Sequence, residues 1–437
     1  MLALLLQGCP RVSPPGDSEE LDSAQVELPG GSGPLLMISI DTLRVRELGA
    51  YGGSAETAHL DDLVARGTHF SDLRSCSNWT YPAAACALLG EDLVELGFMP
   101  GRAHGEGVER LPDDALRLAE HLQAAGYRTA LVSGNSILGN GLGFGRGYGQ
   151  VAVIENGHAE TLVDEGLTLL DELTAGAGHW ALHVHFMDPH LNYDPPEAYR
   201  KEIDEEGLRW ELSTKPGIVA LVEEREAGEV SDYKWEDALA AIHAFYEAEL
   251  EYLDDQVGRL LAELEARGHD DLVVVVWSDH GESLGEHDAW FHHGTLHDVE
   301  TRALGTVVTP GGTPQEVAVP LDLTAVLPAT LAALELAAPP TWEEGPRYAD
   351  VAQEEGFQTS VDLDGQRLVY QSWTGALQRY DLTADPDELD DLAAPDDVTT
   401  QELWALLEAR ASQLAEILPT APVIAPDLAE SRGGSAR

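Results

Sequence analysis

The chain has 437 residues, of which 78 are acidic and 25 basic, giving a net charge of −53. Nucleic acid is excluded as a partner, because binding it rests on neutralising phosphates with basic surface, and the acidity fits a heavily solvated exterior. A hydrophobic content of 43% lets the chain bury one large α/β core and a smaller appendage.

At the amino end, Leu2 to Leu6 followed by Gln7-Gly8-Cys9 resembles the lipobox of bacterial lipoprotein signals. On that reading residues 1–9 are a signal, Cys9 is acylated, and 10–33, rich in Pro, Ser, Gly and acids, is a flexible tether. The place is then the bacterial cell envelope or periplasm. The apolar stretch is short and no basic residue precedes it; a start codon placed too far downstream explains that, and a ragged terminus is the other reading. A lipid anchor on Cys9 is the one membrane contact foreseen, since no later segment is apolar enough to span a bilayer.

Leu35-Leu36-Met37-Ile38-Ser39-Ile40 reads as a buried strand that runs straight into Asp41. Within Asn78 to Gly90, Pro82 suits the first helical position and the following alanines and leucines favour helix, so Thr80 falls at or beside a helix start. Free N–H groups and the dipole attract an anion there, with the Thr80 hydroxyl facing it; the plainer role is an ordinary N-cap. A helix from Asp113 to Gly126 and a strand from Thr129 to Ser133 continue the alternation. Trp180 to Met187 is a further strand that sets His183 and His185 on one face, as satisfied structural histidines or as ligands. A packing helix follows from about Trp235 to Arg267, closed by Gly268.

Val274-Val275-Val276-Trp277-Ser278 then reads as a second buried strand, delivering Asp279 and His280 at its carboxyl end. Two apolar runs that each close on a carboxylate predict an α/β fold with a mostly parallel central sheet flanked by helices. Ligands gather beyond the strand ends in such sheets, so Asp41, Asp279 and His280 are candidate metal ligands; otherwise both acids merely begin loops. His243 and His297 read as structural or exposed. After Pro339-Pro340, short β-rich runs from Gln358 to Tyr380 and a helix from about Gln401 to Ile417 predict a small α+β subdomain. The divisions are thus 34–338 for the catalytic unit, 339–423 for the subdomain and 424–437 for a loose tail. With Cys9 set aside, Cys76 and Cys86 are a pair that a disulfide could join.

An ordered series of motifs carries a resemblance. It comprises Ser39-Ile40-Asp41-Thr42-Leu43-Arg44 with Leu48-Gly49-Ala50-Tyr51-Gly52, His59-Leu60-Asp61-Asp62-Leu63, Gly67-Thr68-His69-Phe70 and Trp79-Thr80-Tyr81-Pro82. Asp188-Pro189-His190-Leu191-Asn192-Tyr193, Ser278-Asp279-His280-Gly281-Glu282, Gly285-Glu286-His287, Phe291-His292-His293-Gly294 and Tyr380 to Glu388 complete it. The chain resembles the sulfatase family of the alkaline phosphatase superfamily over roughly residues 35 to 395. The resemblance implies that Asp41, Asp279 and His280 hold a divalent metal and that Thr80 is the nucleophile, also touching the metal. Thr42 stands where many sulfatases have a second ligating Asp. His190, His287 and His293 match positions that in relatives contact the anionic group or serve proton transfer. Arg44, His185 and Arg302 are candidate substrate contacts.

The departures bear on the chemistry. A formylglycine sulfatase needs Cys or Ser at the nucleophile, Pro two residues later and Arg four later; these positions hold Thr80, Pro82 and Ala84. A threonine ester must be released by a second attack at the central atom, which phosphorus accepts more readily than sulfate sulfur. Phosphate or phosphonate esters are therefore favoured, with sulfate esters open. Ala83 in place of a small polar residue, Leu96-Gly97 in place of His-Gly, and His292 in place of a frequent lysine point towards weakened activity.

The implied chemistry is attack by a metal-stabilised Thr80 oxygen, a covalent ester, and protonation of the leaving oxygen by His293 or His190. One divalent ion is expected: calcium, magnesium or manganese, with zinc also open. The leading function is hydrolysis of phosphate, phosphonate or sulfate esters, the partner being an anionic ester, glycan or lipid linked. The alternatives are a phospho-group transferase acting on envelope glycans or lipids, and a catalytically weakened binding protein.

Overall fold

The computed structural model describes residues 33–100, 109–200, 210–292, 294–418 and 421–426. Cys9 and the tether up to residue 32, His293, and the tail from residue 427 lie outside the described residues.

Eight strands form the main sheet: β1 (Leu35–Ile40), β2 (Thr68–Phe70), β3 (Arg128–Ser133), β4 (Gln150–Val153), β5 (Trp180–Phe186), β6 (Val273–Ser278), β7 (Gly305–Val308) and β8 (Gln315–Val317). Their order is β8-β2-β7-β6-β1-β5-β3-β4. Pairing is parallel from β6 through β1, β5 and β3 to β4, whereas β7 runs antiparallel to β6 and β2. The expected mostly parallel sheet is present, with an antiparallel element towards one edge.

Helices cover both faces, which is why β1 and β6 are apolar without alternation. Leu36, Ile38 and Ile40 pack with residues of α1 (Ala58–Arg66), α4 (Ala159–Thr174) and α6 (Asp232–Ala266), among them Leu60, Leu162 and Leu253. On the other face Leu35 and Met37 join a cluster fed by α2 (Thr80–Leu89), α3 (Leu118–Ala124) and α7 (Val326–Ala333). A further helix, α5 (Lys215–Glu226), adds Ile218 and Leu221 to the first cluster. Side chains alternate along a strand, so Ser39 lies on the α2 side. The register Met37↔His183 and Ser39↔His185 brings both histidines to that face.

Two local expectations shift. Helix α3 begins at Leu118, not Asp113, where the Glu120 carboxylate accepts the Arg117 backbone N–H at 3.1 Å and sets the start. Cys76 and Cys86 are both buried and free, so no disulfide joins them.

The C-terminal part is an antiparallel sheet of β9 (Arg347–Ala352), β10 (Phe357–Leu363), β11 (Gln366–Gln371) and β12 (Leu377–Asp381), packed against α8 (Val398–Ile417). The sequence reading begins this sheet at Gln358 and so misses β9, whose pattern is masked by buried charge. Within β9, Asp350 accepts from Arg410 Nε of α8 at 2.9 Å. Glu388 ties the subdomain to the core, accepting the Asp298 N–H at 2.6 Å and pairing with Arg367 at 3.1 Å.

Candidate active site

The β-ladder continues one residue past the strands: the Asp41 N–H donates to Phe186 O at 3.0 Å and the Asp279 N–H to Ile40 O at 3.2 Å. The two carboxylates, 238 positions apart in sequence, are thereby set side by side beyond the carboxyl ends of β1 and β6. Thr42 turns the chain away with a φ of 50°, an uncommon value for a β-branched residue, and its N–H donates to Asp279 Oδ1 at 3.2 Å. The His280 N–H also reaches Asp279 Oδ1, at 2.7 Å.

Three potential ligand atoms converge here. Asp41 Oδ1, Asp279 Oδ2 and His280 Nε2 are buried with no hydrogen-bond partner among the described residues. His280 Nε2 is 3.6 Å from each of the two oxygens, and the three residues form a group able to hold a metal ion. His280 Nδ1 bonds to the Gly281 carbonyl at 2.8 Å, which places its proton on Nδ1 and leaves the Nε2 lone pair facing the acids. Leaving such atoms bare costs several kcal/mol, so the donor set fits a divalent cation. Burial raises the Asp41 carboxyl, but His185, His190 and His280 outweigh it and hold Asp41 below the ordinary carboxylate range. Burial and the Asp41 charge push Asp279 up.

Thr80 is the first residue of α2, and Trp79, in an extended conformation, is the N-cap. The simple capping role for Thr80 therefore falls, and Pro82 is the third helical residue, not the first. Thr80 Oγ1 instead donates to Asp41 Oδ2 at 3.3 Å. Asn135, just beyond β3, donates its Nδ2 to Asp41 Oδ2 at 2.9 Å and to Thr80 Oγ1 at 3.3 Å. Sequence reasoning misses Asn135; its place after the strand that pairs with β5 was the available signal.

Histidines line the next side. The His280 and His292 rings are 5.0 Å apart, and His292 is 4.9 Å from His190. His292, read only as a lost lysine, thus sits between two predicted site residues. Its Nδ1 is 3.3 Å from Glu282, a buried carboxyl that also accepts Tyr193 Oη at 2.5 Å and that burial pushes up. Burial and the neighbouring His190 and His280 push His292 down, favouring its neutral form. His190 borders a polar cavity of about 270 Å³ lined also by Asn156, Asp188, Asn192 and Glu249. His185 is fully buried with Nε2 at 3.6 Å from Asp41 Oδ2.

Other predicted residues are engaged elsewhere. Arg44 bonds Glu286 at 2.6 Å, Glu47 at 3.1 Å and the Glu282 carbonyl at 2.7 Å, and these acids raise its pKa against the opposing effect of burial. Its donors are used by the fold. Arg302 donates to Ser71 O at 3.2 Å and stacks over Tyr51. The His287 ring stacks at 3.8 Å on His297, which reaches Tyr380 of the C-terminal sheet at 3.3 Å. Thr42 is at the site, its Oγ1 buried and without a partner among the described residues.

The sulfatase family model matches residues 35–304. The uncharacterized sulfatase YidJ of Escherichia coli (strain K12) is 22% identical over 350 residues, covering 70% of this chain and 68% of that protein. Choline-sulfatase of Rhizobium meliloti (strain 1021) is 29% identical over 241 residues, 49% of this chain and 46% of that protein. The solved structure of BT4656 in complex with its substrate D-glucosamine-2-N,6-O-disulfate has a TM-score of 0.69 at 16% identity, covering 88% of this chain and 98% of that one. The phosphonate monoester hydrolase of Agrobacterium radiobacter has a TM-score of 0.67 at 18% identity, covering 88% and 96%. These two structures share the fold, and the family model covers more than half of the sequence, including the strand ends that carry Asp41 and Asp279. The chain belongs to the sulfatase family.

Proposed function

We propose that the protein is a metal-dependent hydrolase of phosphate, phosphonate or sulfate esters that works through a covalent ester on Thr80. The observation that carries this reading is the meeting of three buried, unpartnered ligand atoms with a hydroxyl bonded to one of the same carboxylates. Asp41, Asp279 and His280 would hold calcium, magnesium or manganese, and zinc is also compatible with the imidazole. When bound, such an ion supplies positive charge that favours the ionised Thr80 oxygen and offsets charge on the ester oxygens.

The chain's own residues supply the rest. Asn135 Nδ2 donates to Thr80 Oγ1 while the Thr80 proton points at Asp41 Oδ2, so a lone pair of Oγ1 is left to attack. The new Oγ1–phosphorus or Oγ1–sulfur bond forms as Thr80 passes its proton to Asp41 Oδ2 and the bond to the alcohol oxygen breaks, and that oxygen takes a proton from His190 or His293. Water then attacks the Thr80 ester, one of its protons returning to the histidine that gave one up, and Thr80 leaves with the proton held at Asp41 Oδ2, which restores all three groups. The cavity beside His190 has room for the alcohol half. A sulfated aminosugar ligand in one fold relative and the phosphonate monoester hydrolase activity of another support an anionic, glycan-linked or phosphonate substrate. Attachment to the envelope through Cys9 belongs to the same proposal.

Purified protein is to be assayed with aryl phosphate, phosphonate and sulfate esters, each with calcium, magnesium, manganese and zinc, beside Thr80→Ala. Turnover of one class that disappears in the variant supports the reading. Equal rates in wild type and Thr80→Ala remove Thr80 from the mechanism.

A further inference from the structure

Four polar side chains on the α2 face of the sheet line up end to end. Tyr148 Oη is 2.8 Å from His183 Nδ1, and His183 Nε2 is 2.7 Å from Ser39 Oγ. Ser39 Oγ is in turn 2.8 Å from His185 Nδ1, whose Nε2 faces Asp41 Oδ2 at 3.6 Å. The strand register produces this row, since His183 lies beside Met37 and His185 beside Ser39. Ser39 and His185 are fully buried and His183 nearly so.

We propose that Tyr148, His183 and Ser39 form a directed hydrogen-bond chain that holds His185 in the tautomer protonated on Nε2, making it a donor facing Asp41 and the ester oxygens, not a metal ligand. This rests on the reading above only in assigning the cation to Asp41 Oδ1, Asp279 Oδ2 and His280 Nε2.

A neutral imidazole has one N–H and one lone pair, and a hydroxyl has one proton, so the links must all run the same way. His183 is neutral, because burial and the neighbouring His185 push its pKa down to about 3. In one direction Tyr148 donates to His183 Nδ1, His183 Nε2 to Ser39, and Ser39 to His185 Nδ1, leaving a proton on His185 Nε2. In the reverse direction the His185 Nε2 lone pair would face the Asp41 carboxylate across 3.6 Å, which is repulsive. The Tyr148 end agrees, since a phenol is a stronger donor than a neutral imidazole N–H.

The chosen direction has two consequences. The separation of 3.6 Å exceeds a hydrogen bond, so His185 Nε2–H keeps donor capacity for a non-bridging oxygen of the bound ester. Asp41 Oδ2 accepts from Asn135 and Thr80 and faces this third donor, so Oδ1 alone is left for the cation. Tyr148, His183 and Ser39 are positioning residues in this arrangement.

The test is the tautomer of His185, read from two-bond ¹⁵N–¹H correlations of the metal-free protein labelled at histidine nitrogen. The His185 signals are those lost in His185→Gln. The expected result is a proton on Nε2 in wild type and a shift towards Nδ1 in Tyr148→Phe. Loss of the donor should lower kcat by about 10–100-fold with little change in KM. Ser39→Ala, which cuts the chain without adding bulk, should act in the same way. A wild-type proton on Nδ1, or a tautomer unmoved in both variants, overturns the proposal. Failure of the metal reading is seen separately, as no heat on titrating the protein with manganese(II).

Discussion

Thr80 Oγ1 lies 3.3 Å from Asp41 Oδ2, joining the first residue of one helix to the residue that ends a central strand. The contact places a hydroxyl against a carboxylate whose other oxygen is buried without a partner among the described residues. Thr80 is only 5% exposed, so access to the hydroxyl is narrow.

Thr80→Ala should reduce turnover by about 10³-fold or more, as expected for loss of a nucleophile. Thr80→Ser keeps the oxygen and should keep measurable activity. Intact-mass measurement after rapid acid quench should find the substrate's acidic group on wild type and on the serine variant. Its absence under single-turnover conditions would point to direct attack by water.

Asn135 donates to Thr80 Oγ1, the oxygen proposed to attack. Asn135→Ala should lower kcat by about 10–100-fold while KM changes little, since the amide positions Thr80 and touches no remote part of the substrate. Asn135→Asp should be worse, because it sets a third carboxylate beside Asp41. A rise in KM at constant kcat would instead make Asn135 a plain binding residue.

The unpartnered atoms of Asp41, Asp279 and His280 predict that the folded state binds a divalent cation and the unfolded state does not. At about a hundredfold excess over Kd this linkage adds about 2.7 kcal/mol of stability. Calcium, magnesium or manganese should raise Tm in a thermal melt, and chelator should reverse the rise. Asp279→Asn and His280→Ala should lose the response, and a full response in either would place the ion elsewhere.

Much of this was legible in the sequence because the physics was local. An apolar run followed by Asp is visible in one line, and two such runs imply neighbouring strands, so Asp41, Asp279 and His280 could be placed together. The partners of Arg44 and Arg302 were not legible, because a guanidinium shows its charge in sequence but not what it meets: Glu286 and Glu47 for one, Ser71 and Tyr51 for the other. Asn135 stayed hidden because an amide is no metal ligand and its partners lie 55 and 94 positions away. Strand β9 escaped because its buried Asp350 is neutralised by Arg410, 60 residues later.

Arg367 backs the joint between the subdomain and the core, holding the two acids that cross it: Glu388 accepts the Asp298 N–H at 2.6 Å and Asp362 lies 3.7 Å from Arg74. It grips Asp362 at 2.7 and 2.6 Å and Glu388 at 3.1 Å, with all three side chains almost wholly buried. Removing one member of a buried ionic group strands the others, so Arg367→Ala should cost about 3–5 kcal/mol. Urea denaturation should show this as a lower midpoint. A loss below about 1 kcal/mol would mean that solvent reaches the joint.

Glu300 sets a pH dependence of stability. Its carboxyl is fully buried and accepts from Ser283 Oγ at 2.6 Å and Asn78 Nδ2 at 2.9 Å; burial outweighs these donors and raises its pKa from 4.5 to about 8. The folded state therefore keeps a proton that the unfolded state releases. With more protons bound when folded, stability falls as pH rises: the contribution is complete below 4.5 and lost as pH climbs to about 8. The slope in that window approaches about 1.4 kcal/mol per pH unit for one proton. Glu300→Gln has no proton to lose, so urea-unfolding free energies of wild type minus variant should decline steadily from pH 5 to pH 8. A difference that stays constant across the window would show that Ser283 and Asn78 stabilise the carboxylate enough to cancel the effect of burial.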